Sequence, residues 1–339
     1  MNADSTGLRF RLISMSSGVI LQQALYAAAT LGLADLLRDG PRTASELAGQ
    51  LNLNEAALVR VIRLLASEGV FEERAGGSFA NTELSQFLRS GVRGSVRSIV
   101  MFRGSEYAFA PFGEILYSLE TGLPAREKLS GKNGFEQLKE DPEMARIFDD
   151  AMTNMSELVC DSVSATYDFG AWGSLMDVGG GNGMLLAAIL KAHPALHGVL
   201  ADLPHVLERA RKRGFLGGEL EARSEMQPCD FFQEVPKGCR AYLMKNVIHD
   251  WDDERSHKIL ANCRRAVPDD GALLLAEWAL PDSNLPGFGH LMDIAMMVLT
   301  GGKERSVDEY RELLAGAAFR LNRVFPVPRD FSVIEAVPV

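Results

Sequence analysis

The run Asp177-Val178-Gly179-Gly180-Gly181-Asn182-Gly183 has the residue types of a strand end followed by a tight turn. An apolar run precedes it, and the helical pattern Met184 to Ala192 follows. Glycines in such a turn let a ligand approach the main chain where a side chain would block it. The spacing is Gly179-x-Gly181-x-Gly183, not the GxGxxG of dinucleotide sites. Some way downstream, about 20 residues as nucleoside sites require, Asp202 ends a second apolar strand pattern. A carboxylate there is placed to accept both hydroxyls of a ribose. NAD and S-adenosylmethionine both need that contact. The glycine spacing favours a single nucleoside with a charged amino-acid tail. Asp230, between Cys229 and Phe231-Phe232, is either a loop carboxylate or an acceptor for an adenine amino group.

Of the six histidines, His249 has the best site context. It follows the strand pattern Arg240 to Lys245 and precedes Asp250-Trp251-Asp252-Asp253-Glu254-Arg255. Open α/β sheets place their ligand crevice just beyond the carboxyl ends of strands. An imidazole there could move a proton, although a lone histidine in an apolar setting is more often structural. Glu277, at the end of the strand pattern Ala272 to Trp278, also has a strand-end position.

The elements that must position these groups fall into two patterns. From about 170 onward, strands alternate with helices, which predicts an open, mostly parallel α/β sheet with helices on both faces. Phe331 to Val337 suits a late antiparallel strand. Before that, residues 11–38 read as helical, and Thr43-Ala44-Ser45-Glu46 is a capping box. Asn54 caps a helix whose apolar face is Leu58, Ile62 and Leu65, and Gly69 stops it. Val70 to Glu73 and Ser78 to Ala80 flank Gly76-Gly77 as a hairpin. Three short helices and a hairpin predict a winged-helix-like unit over about 11–90. In a DNA-binding regulator the second helix of such a unit reads bases. Here that stretch carries only Arg60 and Arg63, so packing or dimerisation is expected instead. Asp141-Pro142-Glu143 is a helix start, and Met144, Ile147, Phe148, Ala151, Met152 and Met155 follow at helical spacing. Such a stripe is core packing or an adaptable lining for a flat ligand.

Composition sets the outer limits. The chain has 339 residues, 47% of them hydrophobic, enough for two domains. A formal net charge of -10 disfavours non-specific binding to nucleic acid or anionic membranes. The N-terminus lacks a basic-then-apolar signal pattern, and the apolar stretch 18–37 is interrupted by Gln22, Gln23 and Asp35. Four cysteines, none in a CxxC pair, fit a reduced cytoplasmic protein.

Five segments together make the chain resemble the S-adenosylmethionine-dependent small-molecule O-methyltransferases, the type that acts on caffeic acid, acetylserotonin and bacterial polyketides. They are 31–37 (Leu-Gly-Leu-Ala-Asp-Leu-Leu), 177–183, Asp202-Leu203-Pro204-His205-Val206, 245–251 (Lys-Asn-Val-Ile-His-Asp-Trp) and 301–306 (Gly-Gly-Lys-Glu-Arg-Ser). The resemblance implies a Rossmann-like class I methyltransferase domain over 166–339. A helical linker and pocket region over 101–165 and a winged-helix-like dimerisation domain over 1–100 would precede it. It implies that Asp177, Gly179, Gly181 and Gly183 shape the cofactor pocket and that Asp202, with Leu203, holds the ribose. Asp230 and Phe231 would flank the adenine, Lys245 would support the amino-acid end, and Trp251 would close over the base. Cys229 stands where relatives commonly have Gly.

It further implies that His249 is a general base for methyl transfer to a hydroxyl, most readily a phenol, oriented by Glu277 and Glu304. The family type uses no metal, so none is expected at His249 and its acidic neighbours. Phe102, Phe109, Phe112, Met152, Met155, Met292, Ile294, Ala295 and Met296 would line an apolar acceptor pocket for a small hydroxylated aromatic substrate. Asp293 would touch a polar substituent or orient the pocket. Leu21, Leu25 and Tyr26 of the N-terminal helices would clasp a second subunit in a homodimer. Ser306-Val307-Asp308-Glu309 is a capping box, which assigns Ser306 to structure. Three rivals remain: a relative that no longer methylates, a winged-helix sensor and a dehydrogenase. The last suits the glycine spacing least.

Overall fold

A computed structural model describes residues 3–281 and 286–339. It contains two compact units, Met1–Ala110 with Leu138–Met155, and Pro111–Gln137 with Ser156–Val339. The segment 101–165 is therefore shared between them, and the helix Pro142–Thr166 contributes to both.

In the first unit, residues 11–38 are helical, within three helices: Ala3–Ser16, Gly18–Leu31 and Leu33–Leu36. Gly32, at φ 67°, provides the left-handed break between the last two. The predicted caps are present. Thr43 and Glu46 form a reciprocal capping box on the helix Ala44–Leu51, and Asn54 accepts the Ala57 N–H to open Glu55–Ser67. A small sheet of β1 (Arg42–Thr43), β2 (Phe71–Arg74) and β3 (Ser78–Asn81) has the order β1-β3-β2. Leu33, Leu47, Leu58, Ile62, Leu65, Phe71 and Phe79 form its core. Phe102 and Ala151, with Met152 and Met155 packed against them, form a second cluster in the same unit.

The second unit is built on β4 (Ser174–Val178), β5 (His197–Asp202), β6 (Ser224–Pro228), β7 (Ala241–Lys245), β8 (Ala272–Leu280), β9 (Arg305–Ser306), β10 (Phe319–Val327) and β11 (Phe331–Pro338). The order is β10-β11-β8-β7-β4-β5-β6, with β9 beside β8. From β8 to β6 neighbouring strands are parallel, whereas β11 runs antiparallel to both β8 and β10. Central strands of a parallel sheet are covered on both faces and so read as continuous apolar runs. Leu175-Met176, Tyr242 to Met244 and Leu273 to Ala276 are all fully buried. The edge strands β6 and β10 are half-exposed, and Pro326 is tolerated on the outermost one.

The chain leaves β4 towards β5 and β6, then returns to place β7 on the other side of β4. The order thus reverses between β4 and β7, the place where open α/β sheets bind ligands, outside the carboxyl ends of the strands. All four cysteines are buried and unbridged. Among the described residues, no single helix is long and apolar enough to cross a membrane. Ser5–Ser16 and Gly18–Leu31 pass that test only when counted together across a 41° bend.

Candidate active site

The glycine turn follows directly from β4 at the reversal point. Gly181 has a φ of 61°, and a Cβ there would point into open space. Gly180 instead packs against the turn's own support, since a Cβ would stand 2.5 Å from the Asp177 carboxyl carbon. Asp202 ties the turn to the end of β5. Its Oδ2 accepts the Gly181 N–H at 2.9 Å and its Oδ1 accepts the Leu203 N–H at 2.7 Å.

Asp177 is 1% exposed, and neither of its carboxylate oxygens has a hydrogen-bond partner. Burial pushes its pKa up to about 7, with Lys245 opposing the rise and Asp202 adding to it. A buried orphan carboxylate, a second carboxylate at the next strand end and an open glycine turn together fit a cationic nucleoside. Lys245 ends β7 and is half-buried. Asp230 is exposed, its Oδ1 accepting the Phe232 N–H at 3.0 Å. Trp251 packs edge-on against Phe232 at 4.7 Å between centroids and lies more distantly against Phe231 at 6.3 Å. Phe135 stacks on Trp251 at 5.9 Å.

Residues 246–252 turn away from β7 and carry His249, which is 5% exposed. Its Nδ1 lies 2.7 Å from Oε1 of Glu304 and 3.8 Å from Oε2 of Glu277. Nε2 lies 3.8 Å from Oδ1 of Asp250. The two glutamates divide the work. Oε1 of Glu277, fully buried in β8, accepts the N–H groups of Val247 and Ile248 at 3.1 and 3.0 Å and so fixes the turn. Glu304 holds the ring itself. Asp293 holds Glu304, its Oδ1 accepting the Glu304 N–H at 3.0 Å.

His249, Glu277 and Glu304 lie close enough together to be considered as metal ligands. The 2.7 Å Nδ1–Oε1 separation, however, is that of a shared proton in a charge-assisted hydrogen bond.

Charge around the imidazole changes the expectation of an ordinary histidine. Burial alone lowers its pKa, but Glu304, Glu277 and Asp250 outweigh it and raise the value to about 10. Burial also raises Glu277, against the pull of His249, and raises Asp250 to about 6.

Phe102, Phe109, Met152 and Met155 belong to the first unit, whereas Phe112, Met292, Asp293 and Met296 belong to the second. Phe102 is engaged edge-on with Phe148 at 5.4 Å. Met292, Asp293 and Met296 lie on the helix Phe288–Leu299. Arg305, Gly302 and Asn246 lie within the segments 301–306 and 245–251 that carry the resemblance, but the sequence assigns them no role of their own. Asn246 sits at φ 52°, where the chain leaves β7, and non-glycine residues at positive φ cluster at functional turns.

The chain has counterparts in sequence and fold among known proteins. Residues 13–91 match an O-methyltransferase dimerisation domain, and residues 117–320 match an O-methyltransferase domain. The chain is similar to phenazine O-methyltransferase PhzM of Lysobacter antibioticus, at 40% identity over 97% of this chain and 96% of that protein. It is 35% identical to O-demethylpuromycin-O-methyltransferase of Streptomyces alboniger, over 100% of this chain and 91% of that one. The fold matches the crystal structure of LaPhzM with a TM-score of 0.93 and 40% identity, covering 98% and 99% of the two chains. It matches NcsB1 from neocarzinostatin biosynthesis, solved with S-adenosylmethionine and 2-hydroxy-5-methyl naphthoic acid, with a TM-score of 0.81. Identity there is 34%, over 94% and 96% of the chains.

Proposed function

This chain belongs to the family of S-adenosylmethionine-dependent O-methyltransferases acting on small aromatic metabolites, and we propose that His249 is its general base for methyl transfer to a phenolic hydroxyl. The observation that carries the reading is the buried 2.7 Å pair of His249 and Glu304. S-adenosylmethionine, when bound, supplies a methyl group made electrophilic by its sulfonium. Asp202 would hold the ribose hydroxyls, and the glycine turn would admit the nucleoside to the main chain. Asp177 and Lys245 would meet the charged amino-acid end. Trp251 and Phe231 would wall the adenine, with Asp230 beside them.

Nδ1–H of His249 donates to Glu304, which leaves Nε2 to take the acceptor's proton. A phenol has a pKa near 10, and an imidazolium raised to about 10 is well matched to it. An ordinary imidazole would take that proton uphill. At neutral pH the surrounding carboxylates favour imidazolium, so the base acts from the fraction that has shed its second proton. The remaining contribution is alignment of the nucleophilic oxygen with the methyl carbon. Phe112, Met292, Asp293 and Met296, all of the second unit, are proposed acceptor-site residues. Asp293 acts there through Glu304.

The protein is also proposed to work as a homodimer. The match over 13–91 supports this, as do the exposed Leu12, Ile13, Met15 and Ile20 on the first two helices. Sedimentation of the intact chain at twice the monomer mass is expected.

The test uses labelled methyl donor with a panel of phenols, aromatic amines and alkyl alcohols. Transfer to phenols is expected, with a loss of about 10³-fold in kcat for His249→Ala and unchanged binding of S-adenosylhomocysteine. Full activity in His249→Ala would remove the base assignment.

A further inference from the structure

Arg305 heads the fully buried side chains by volume, and its donors converge on one turn. Nη2 donates to the Trp251 carbonyl at 3.0 Å, Asp253 Oδ1 at 2.8 Å and Ser256 Oγ at 3.3 Å. Nη1 donates to the Ile248 and Lys303 carbonyls, both at 3.3 Å, and Nε to Asp253 Oδ1 at 3.1 Å. The acceptors at 248, 251 and 253 bracket His249 on both sides. The acceptor at 303 directly precedes Glu304.

We propose that Arg305 is a positioning residue for methyl transfer, stapling the turn that carries His249 to the segment that carries Glu304. His249 and Glu304 are 55 residues apart in sequence yet must meet at 2.7 Å. His249 sits in a single 3-10 turn, Ile248–Asp250, and Glu304 in a segment outside helix and strand, so neither is held by an extended ladder of main-chain hydrogen bonds. A planar guanidinium satisfies several carbonyls at fixed angles, whereas a lysine ammonium has fewer donors and no fork. Gly302 allows the two segments to touch, because no side chain stands between it and the main chain of 249–251. Asp253, whose side chain is 56% exposed, supplies the countercharge from outside the turn.

The inference rests on the reading of His249 as the base, and its test separates the two. Arg305→Lys and Asp253→Asn are made in the full chain, alone and combined with Glu304→Gln. Arg305→Lys should lower kcat roughly 10- to 100-fold and leave affinity for S-adenosylhomocysteine within about twofold. It should also move the rising limb of the pH profile to lower pH, because the imidazole loses its contact with Glu304. In the Glu304→Gln background it should cost less than about threefold, since residues acting as a unit are not additive. An equal cost in both backgrounds, or a parallel loss of cofactor affinity, would overturn the proposal. If Arg305→Lys does not fold, Asp253→Asn must give the same pH shift and non-additivity on a smaller scale, and their absence there counts against the staple. If His249→Ala itself is fully active, it is the base assignment that fails.

Discussion

Gly302 lies so close to His249 that a Cβ in place of its hydrogen would stand 2.0 Å from the His249 carbonyl oxygen and 2.4 Å from the Asp250 carbonyl carbon. Both neighbours are main chain and cannot swing aside. Gly302→Ala should therefore separate the two segments that bring Glu304 to the imidazole. A stability loss of about 1–3 kcal/mol, typical of overpacking, and a fall in kcat are expected by thermal unfolding and initial rates. Gly181→Ala makes the contrast. Its Cβ has room but sits at φ 61°, so it should cost cofactor affinity more than kcat at saturation.

The carboxylates around His249 set a pH dependence with a definite sign. The base works deprotonated, and its pKa is raised to about 10. Activity should therefore climb through the alkaline range rather than level off near the ordinary histidine value of about 6.5. Glu304→Gln removes one of the charges that raise the pKa, so the limb should move to lower pH while the plateau falls about 10²-fold. A profile already flat above pH 7.5 in the unmodified protein would contradict this.

Asp202 combines two roles that substitution can part. It holds the turn through the Gly181 and Leu203 N–H groups, and it is the proposed ribose acceptor. Asp202→Ala should abolish calorimetric binding of S-adenosylhomocysteine at concentrations that saturate the parent. Asp202→Asn, which keeps one acceptor oxygen, should weaken it by roughly tenfold or more. Equal affinity in all three proteins would place the ribose elsewhere.

Asp177 is predicted to be held at a cost to stability. Its pKa is raised from 3.8 in the unfolded chain to about 7 in the fold. The raised value favours folding of the protonated form, an advantage present below about 4 and lost as pH rises through 7. Asp177→Asn should therefore raise the unfolding temperature by several degrees at pH 8, with the gain shrinking towards pH 4.5, while binding of the methyl donor weakens. A variant less stable than the parent at pH 8 would show that Lys245 compensates the buried charge in full.

Much of this architecture is legible in the sequence because the signals are local. Side chains bonding to main chain a turn away announce the caps at Thr43, Asn54 and Ser306. The core strands β4, β7 and β8 show as apolar runs. β6 and β10 do not, because an edge strand carries polar residues on its open side and, in β10, a proline. The break at Gly32 is hidden within a helix-rich composition. In the site, the glycine turn and Asp202 follow from spacing and His249 and Glu277 from their strand-end positions, whereas Glu304 and the catalytic roles needed family resemblance. Arg305 falls inside the resembling segment 301–306, yet its role is not legible there, because three of its hydrogen bonds go to backbone carbonyls, which leave no trace in residue types. Asp293 was placed between two roles for the same reason, since its bond is to the Glu304 main chain.

Cys160, buried in the helix Pro142–Thr166, feels the charges of both Lys245 and Asp177, the groups proposed to meet the methyl donor. A thiolate there would be a better nucleophile than any phenol. Burial pushes this thiol up to about 12 and outweighs the pull of Lys245, so it remains protonated and unreactive. The same apolar packing that completes the core thus keeps a potential sulfur nucleophile in its neutral form close to the charges proposed to meet the donor.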